Sequence, residues 1–308
     1  MLSNVKNLFL SQEEQQKNLL IKKLTFLKNG DFLEKNERGW TPLMLVFYNN
    51  KSQKFNLHSE EIFYVIKNSN LLEKNYYGCT ALMYALENNV SQKLNLTKEQ
   101  WDYLLQHSDL KTKNKHGFTP LMYALENNVS QKLNLTKEQW DYLLQNSDLK
   151  IQNELKKTPL MIALKHIQSN ILTKEQWDYL LQNSDLKMKG PNSHSSLMVA
   201  LTFNIGSKLT KEQWDYLLQN SDLKIQSDLK KTPLMIALLH HQGHQLTKKQ
   251  WDYLLEHSDL NQENNIGETA LTLAKKYEEE EKVLTFEQWN YLIQKTKIKE
   301  KNKLKNLG

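Results

Sequence analysis

Apolar residues fall into two alternating stripes along most of the chain, and both stripes have helical spacing. In Thr119-Pro120-Leu121-Met122-Tyr123-Ala124-Leu125, the residues Leu121, Ala124 and Leu125 stand at i, i+3 and i+4, which predicts a short amphipathic helix. Thr119 is placed to cap it, and Pro120 suits the first helical position, where its missing N–H leaves nothing unpaired. About twenty residues on, Leu135-Thr136-Lys137-Glu138-Gln139-Trp140 carries the full signature of a second helix start. Thr136 and Gln139 form a capping box, and Leu135 can pack on Trp140 as a hydrophobic staple. Trp140, Leu143 and Leu144 make the second stripe, with Asp141 and Gln145 pointing away from it.

Both blocks recur. The second is marked by Trp101, Trp140, Trp177, Trp214, Trp251 and Trp289, spaced 39, 37, 37, 37 and 38 residues. The first is marked by Thr41, Thr80, Thr119, Thr158, Ser195, Thr232 and Thr269, spaced 39, 39, 39, 37, 37 and 37. Two signals alternating at one period define a repeated helix–loop–helix unit, which must stack on its neighbours to bury its apolar faces. The fold class is therefore all-α, a repeat solenoid of about seven units over residues 31–294. Residues 1–30 are expected to form an N-terminal capping helix, with a box at Ser11–Glu14 and a stripe of Leu20, Leu24 and Leu27. Residues 295–308, rich in lysine, are expected to be a disordered tail. The tryptophans lie in the stripe, so packing rather than ligand stacking is their expected role.

The connection Asn114-Lys115-His116-Gly117-Phe118-Thr119-Pro120-Leu121-Met122-Tyr123-Ala124 resembles the loop and first helix of the ankyrin repeat, whose signature is Thr-Pro-Leu-His-x-Ala with Gly and Asn or Asp ahead of it. Asn36/Gly39, Asn75/Gly78 and Asn264/Gly267 repeat the loop pair. Methionine replaces the signature histidine at Met44, Met83, Met122, Met161, Met198 and Met235, and the units run longer than the usual 33 residues. Lys156, Ser193 and Lys230 stand where the loop Gly belongs, which implies less regular hairpins there.

A net charge of +6 changes the picture little once it is located. Residues 295–308 hold six lysines against Glu300, leaving +1 for everything before them. A nearly neutral body with a single arginine, Arg38, lacks the basic footprint that nucleic acid requires. Nucleic-acid or anionic-membrane contact through the tail is the alternative functional reading. Cys79 is the only cysteine, so no internal disulfide forms and a reducing compartment fits. Neither an export signal nor a membrane span is evident.

No nucleophile elbow, phosphate loop or Cys-x-x-Cys occurs, and the residues point to no enzyme, cofactor or small-molecule substrate. Asp102, Asp141, Asp178, Asp215 and Asp252 recur on what reads as the outward helix face. His240 and His244, at i and i+4, are a weak candidate metal pair set against a polar loop. The family resemblance implies a monomeric, non-enzymatic scaffold that binds another protein through loop tips and the exposed end of the first helix. It also implies a cytoplasmic protein or one delivered into a host cell, as ankyrin-like proteins of host-associated bacteria often are. Carried onto this chain, the partner-binding positions are Arg38, Trp40, Tyr48, Tyr76, Tyr77, His116, Phe118, Leu155, His194 and Leu229. Aromatics concentrate in the first three units, where they would serve as binding anchors or pack between neighbouring loops.

Overall fold

The computed structural model describes residues 31–305 apart from 51–56, 89–94, 128–132, 169–171, 204–207, 242–245 and 282, together with Glu14, Asn18 and Leu24. Most of the expected capping helix of residues 1–30 thus lies outside the described residues, although Glu14 and Asn18 are helical and Leu24 is fully buried. The described residues form fourteen α-helices and no strand. They divide into two units, Met1–Asp148 and Leu149–Gly308.

The first unit holds α1 (Pro42–Asn50), α2 (Ser59–Lys67), α3 (Ala81–Asn88), α4 (Lys98–His107), α5 (Pro120–Asn127) and α6 (Lys137–Asn146). The second holds α7 (Pro159–Lys165), α8 (Lys174–Asn183), α9 (Ser196–Phe203), α10 (Lys211–Asn220), α11 (Pro233–Leu239), α12 (Lys248–His257), α13 (Ala270–Glu281) and α14 (Phe286–Lys305). Odd-numbered helices pack on odd ones, α1 on α3 on α5 and α7 on α9 on α11 on α13. Even-numbered helices make a second layer, α2 on α4 on α6 and α8 on α10 on α12 on α14. Each unit is an all-α stack of helix pairs with its core between the two layers.

Local chemistry sets these boundaries. Thr136 Oγ1 accepts from Gln139 N at 3.3 Å and Gln139 Oε1 accepts from Thr136 N at 2.9 Å, and the same box opens α4, α8, α10 and α12. Helices of 7–10 residues are too short to persist alone in water, so burial must hold them. Trp101, Trp140, Trp177, Trp214 and Trp251 are all 6% exposed or less, while Trp289 in the last copy is only partly buried.

Four of the recurring aspartates, Asp102, Asp178, Asp215 and Asp252, are half-buried and bonded to the next helix of their layer rather than simply facing solvent. In addition to its capping role, Gln139 donates through Nε2 to Asp102 Oδ1 at 2.7 Å and to Lys98 O at 3.0 Å on the preceding helix of its layer. Gln213 repeats this with Asp178 and Lys174, Gln250 with Asp215 and Lys211, and Gln288 with Asp252 and Lys248. One amide therefore closes a cap and ties successive helix pairs together. Gln250→Ala is expected to destabilise the second unit by about 1–2 kcal/mol, because two part-buried acceptors and one amide N–H lose a partner; urea titration measures it.

The final helix also departs from expectation. Residues 295–305 continue α14 rather than leaving the chain at Lys295, so the segment read as a disordered tail is helical in its backbone as far as Lys305.

Candidate partner-binding face

Most connections between helix pairs are built on an asparagine, buried at Asn75, Asn114, Asn153 and Asn264 and exposed at Asn36, while Gly190 and Ser227 stand at that place in the other two. Asn75 Oδ1 accepts from Tyr77 N and Cys79 N, both at 3.0 Å, while Asn75 N donates to Cys79 O at 3.0 Å. Asn36, Asn114 and Asn264 close their loops with the same pair of Oδ1 bonds. Each loop is thereby fixed by its own residues, and successive tips are joined by backbone bonds. Tyr76 N donates to Arg38 O at 2.9 Å and Lys115 N to Tyr77 O at 2.9 Å in the first unit. In the second, Asp228 N donates to Asn192 O and Asn265 N to Leu229 O.

The fourth position of each loop takes a left-handed backbone. Gly39, Gly78, Gly117 and Gly267 have φ between 73° and 78°, and Lys156, Ser193 and Lys230 adopt φ of 54–58° in their place. At Lys156 and Lys230 the Asn153 or Ser227 clamp and the cap that follows keep the loop regular whatever its φ costs, whereas the hairpin at Ser193 is irregular as expected, with Gly190 at the clamp position, a 3₁₀ turn over Pro191–Ser193 and both Asn192 and Ser193 left-handed.

On this frame the first unit carries an aromatic surface. Trp40 stacks on Tyr84 with ring centroids 4.6 Å apart, and Tyr48 meets both rings edge-on at 5.1 and 5.9 Å. Trp40 is therefore partly buried, and Phe118 lies against Tyr123 at 5.5 Å, also partly buried. These two pack between neighbouring elements instead of standing clear as free anchors. Tyr48, Tyr76 and Tyr77 remain 51, 67 and 45% exposed, and Arg38 and His116 are exposed at the tips. Tyr76 and Tyr77 meet edge-on at 5.8 Å, and the Lys115 ammonium sits 3.6 Å over the Tyr76 ring.

Two residues that the sequence reading passed over anchor this surface. Tyr84 accepts at its hydroxyl from Asn75 Nδ2 at 2.8 Å, and Tyr123 from Asn114 Nδ2 at 3.0 Å. Burial, followed by the neighbouring Cys79 sulfur, pushes both hydroxyls well above the ordinary tyrosine range. The signal was present as a tyrosine nine residues after the loop asparagine in only these two copies; Tyr84 is itself buried at 6% exposed, and Tyr123 is partly buried.

In the second unit Leu155 and Leu229 are each 57% exposed at their tips. His194 is partly buried, and that burial, with the nearby Lys231 charge, lowers its affinity for a proton. His240 ends α11, whereas His244 lies outside the described residues. No group of three or more His, Cys, Asp or Glu placed to share a metal occurs among the described residues, and no described helix is long and apolar enough to cross a membrane. A groove of about 260 Å³ between α4 and α6 is lined by Lys98, Asp102, Gln139 and Tyr142 among others, and the Gln139–Asp102 bond already uses its central polar groups. No protein-family model matches the chain, and no curated protein is similar to it.

Proposed function

We propose that the protein is a non-enzymatic scaffold of ankyrin type that binds another protein through the tips and odd-numbered helices of its first unit. The observation that carries this reading is the concentration of exposed aromatics, Tyr76 and Tyr77 on a tip row already locked by its own hydrogen bonds and Tyr48 near the end of α1. Large rings held rigid before binding lose little conformational entropy when a partner covers them, which is why such residues dominate interface energetics. The asparagine–glycine loops, the threonine-capped first helices and the tip-to-tip backbone bonds support the ankyrin assignment.

The test uses whichever partner affinity capture recovers, measured by calorimetry against the full chain and a Tyr76→Ala/Tyr77→Ala variant. The double variant is expected to lose at least about 2 kcal/mol of binding, roughly thirtyfold. Its unfolding midpoint should stay unchanged, since both rings lie largely outside the core. Unchanged affinity, or affinity lost only together with stability, would reject the tip row as the site. Binding that is abolished by moderate salt and by deleting 295–308 would support the lysine-rich end instead.

A further inference from the structure

Two packed helices of the second unit, α9 and α11, contain no charged side chain. Charge collects at their ends. His194 immediately precedes Ser195, the cap of α9, Lys231 immediately precedes Thr232, the cap of α11, and His240 closes α11. Val199 and Phe203 stand four residues apart, as do Ile236 and His240, and residues at that spacing share one face of a helix. Val199 and Ile236 are nearly buried, whereas Phe203 is 39% exposed at the end of α9.

The two loops are fixed against each other, because Asp228 N donates to Asn192 O at 3.0 Å and Ser193 Oγ donates to Asp228 Oδ1 at 2.6 Å. The second bond engages the loop's carboxylate with a neutral hydroxyl. Lys231, half-buried, forms no ion pair among the described residues. Burial lowers the proton affinity of both His194 and His240, and the Lys231 charge lowers it further at each. His240 also acts against His194 and His241 against His240, while Asp228 pulls His194 the other way. Both imidazoles are therefore largely neutral at neutral pH.

The neighbouring helices add mainly cations on this side. With α7 come Lys157 ahead of it, Lys165 in its last turn and His166 after it. With α13 come Lys275, Lys276 and Tyr277, whose ring meets that of His241 at 5.5 Å, with Glu278 to Glu281 following at the far end. Glu268, the counterpart of Lys231 in the next loop, already accepts from Asn264 Nδ2 at 2.9 Å. No acidic residue occurs in α7, α9 or α11.

We propose that this face of the second unit binds an acidic segment of a partner protein, with Lys231 pairing a carboxylate beside His194 and His240 and a neighbouring apolar side chain resting on Phe203. A carboxylate against Lys231 offsets the field that keeps the imidazoles neutral. Binding then draws protons from solvent onto them, and by linkage a lower pH strengthens binding. The site uses neither Tyr76 nor Tyr77, so it stands or falls apart from the tip-row reading.

The test is calorimetry of the full chain with blocked peptides repeating Glu-Glu-Leu or Gln-Gln-Leu, at about pH 8 and about pH 6 in buffers of different ionisation heat. The glutamate peptide is expected to bind about tenfold tighter at the lower pH, with net proton uptake, and the glutamine peptide to bind weakly at both. Lys231→Gln should weaken the glutamate peptide about tenfold, whereas Lys231→Arg, which keeps the charge, should retain it. His194→Asn with His240→Asn should abolish the gain at the lower pH. The proposal is overturned if the glutamate peptide does not bind, if the glutamine peptide binds as well, or if affinity is the same at both pH values. Loss in Lys231→Arg equal to that in Lys231→Gln would assign Lys231 a structural role and overturn it too. Glutamate binding that survives Lys231→Gln at full strength belongs to the lysines of residues 295–308 and likewise rejects this face.

Discussion

Trp140→Ala is expected to cost about 3–5 kcal/mol, the range for truncating a large buried aromatic side chain. Trp140 is 1% exposed and sits among Leu135, Leu143 and Leu144, none more than 6% exposed. Its helix has ten residues and cannot hold itself by propensity alone, so losing the ring loosens both the helix and the layer it belongs to. The indole N–H has no hydrogen-bond partner within the protein, which assigns the side chain a packing role. Trp140→Phe, which keeps most of the apolar volume and removes the unpaired donor, should accordingly cost much less, about 1 kcal/mol. Trp289→Ala, at the partly buried last copy, should fall between the two. Urea titrations followed by circular dichroism measure all three, and a Trp140→Ala loss below about 1 kcal/mol would reopen a ligand role for the tryptophans.

The helices were legible in the sequence because their signals are local. A threonine, a glutamine three residues later and a leucine just before them place the start of α6 at Lys137, where the structure has it. The links between copies were not legible in the same way. Gln139 and Asp102 lie 37 residues apart, and an amphipathic projection assigns Asp102 to solvent because it considers one helix at a time. Aromatic contacts divide along the same line. Exposure at Tyr48, Tyr76 and Tyr77 followed from their places outside both stripes, whereas the burial of Trp40 depends on Tyr84 of the next copy. The tail shows a third limit, since a lysine-rich composition signals disorder but a helix already running through Trp289 carries its backbone geometry onward.

Loop glycines combine two constraints that a pair of substitutions can separate. Gly78 has φ of +74°, and a Cβ built on it would stand 3.1 Å from both Asn114 Cα and Lys115 N of the next tip. Gly267 has nearly the same φ, +78°, but its Cβ would meet nothing within 4 Å. Left-handed backbone alone costs a residue with a side chain about 1–2 kcal/mol, and Lys156 and Lys230 show that these loops can carry that cost. Gly267→Ala should therefore destabilise by only about 1 kcal/mol. Gly78→Ala must in addition push backbone away from backbone, which lengthens the 2.9 Å bond from Lys115 N to Tyr77 O and leaves both groups short of a partner. Its expected cost is about 3 kcal/mol, with the aromatic tip row displaced along with the loop. Denaturant titration of the two variants reads the difference directly. Equal costs would mean that the tips are free to separate, and that the surface offered to a partner is less rigid than its hydrogen bonds imply.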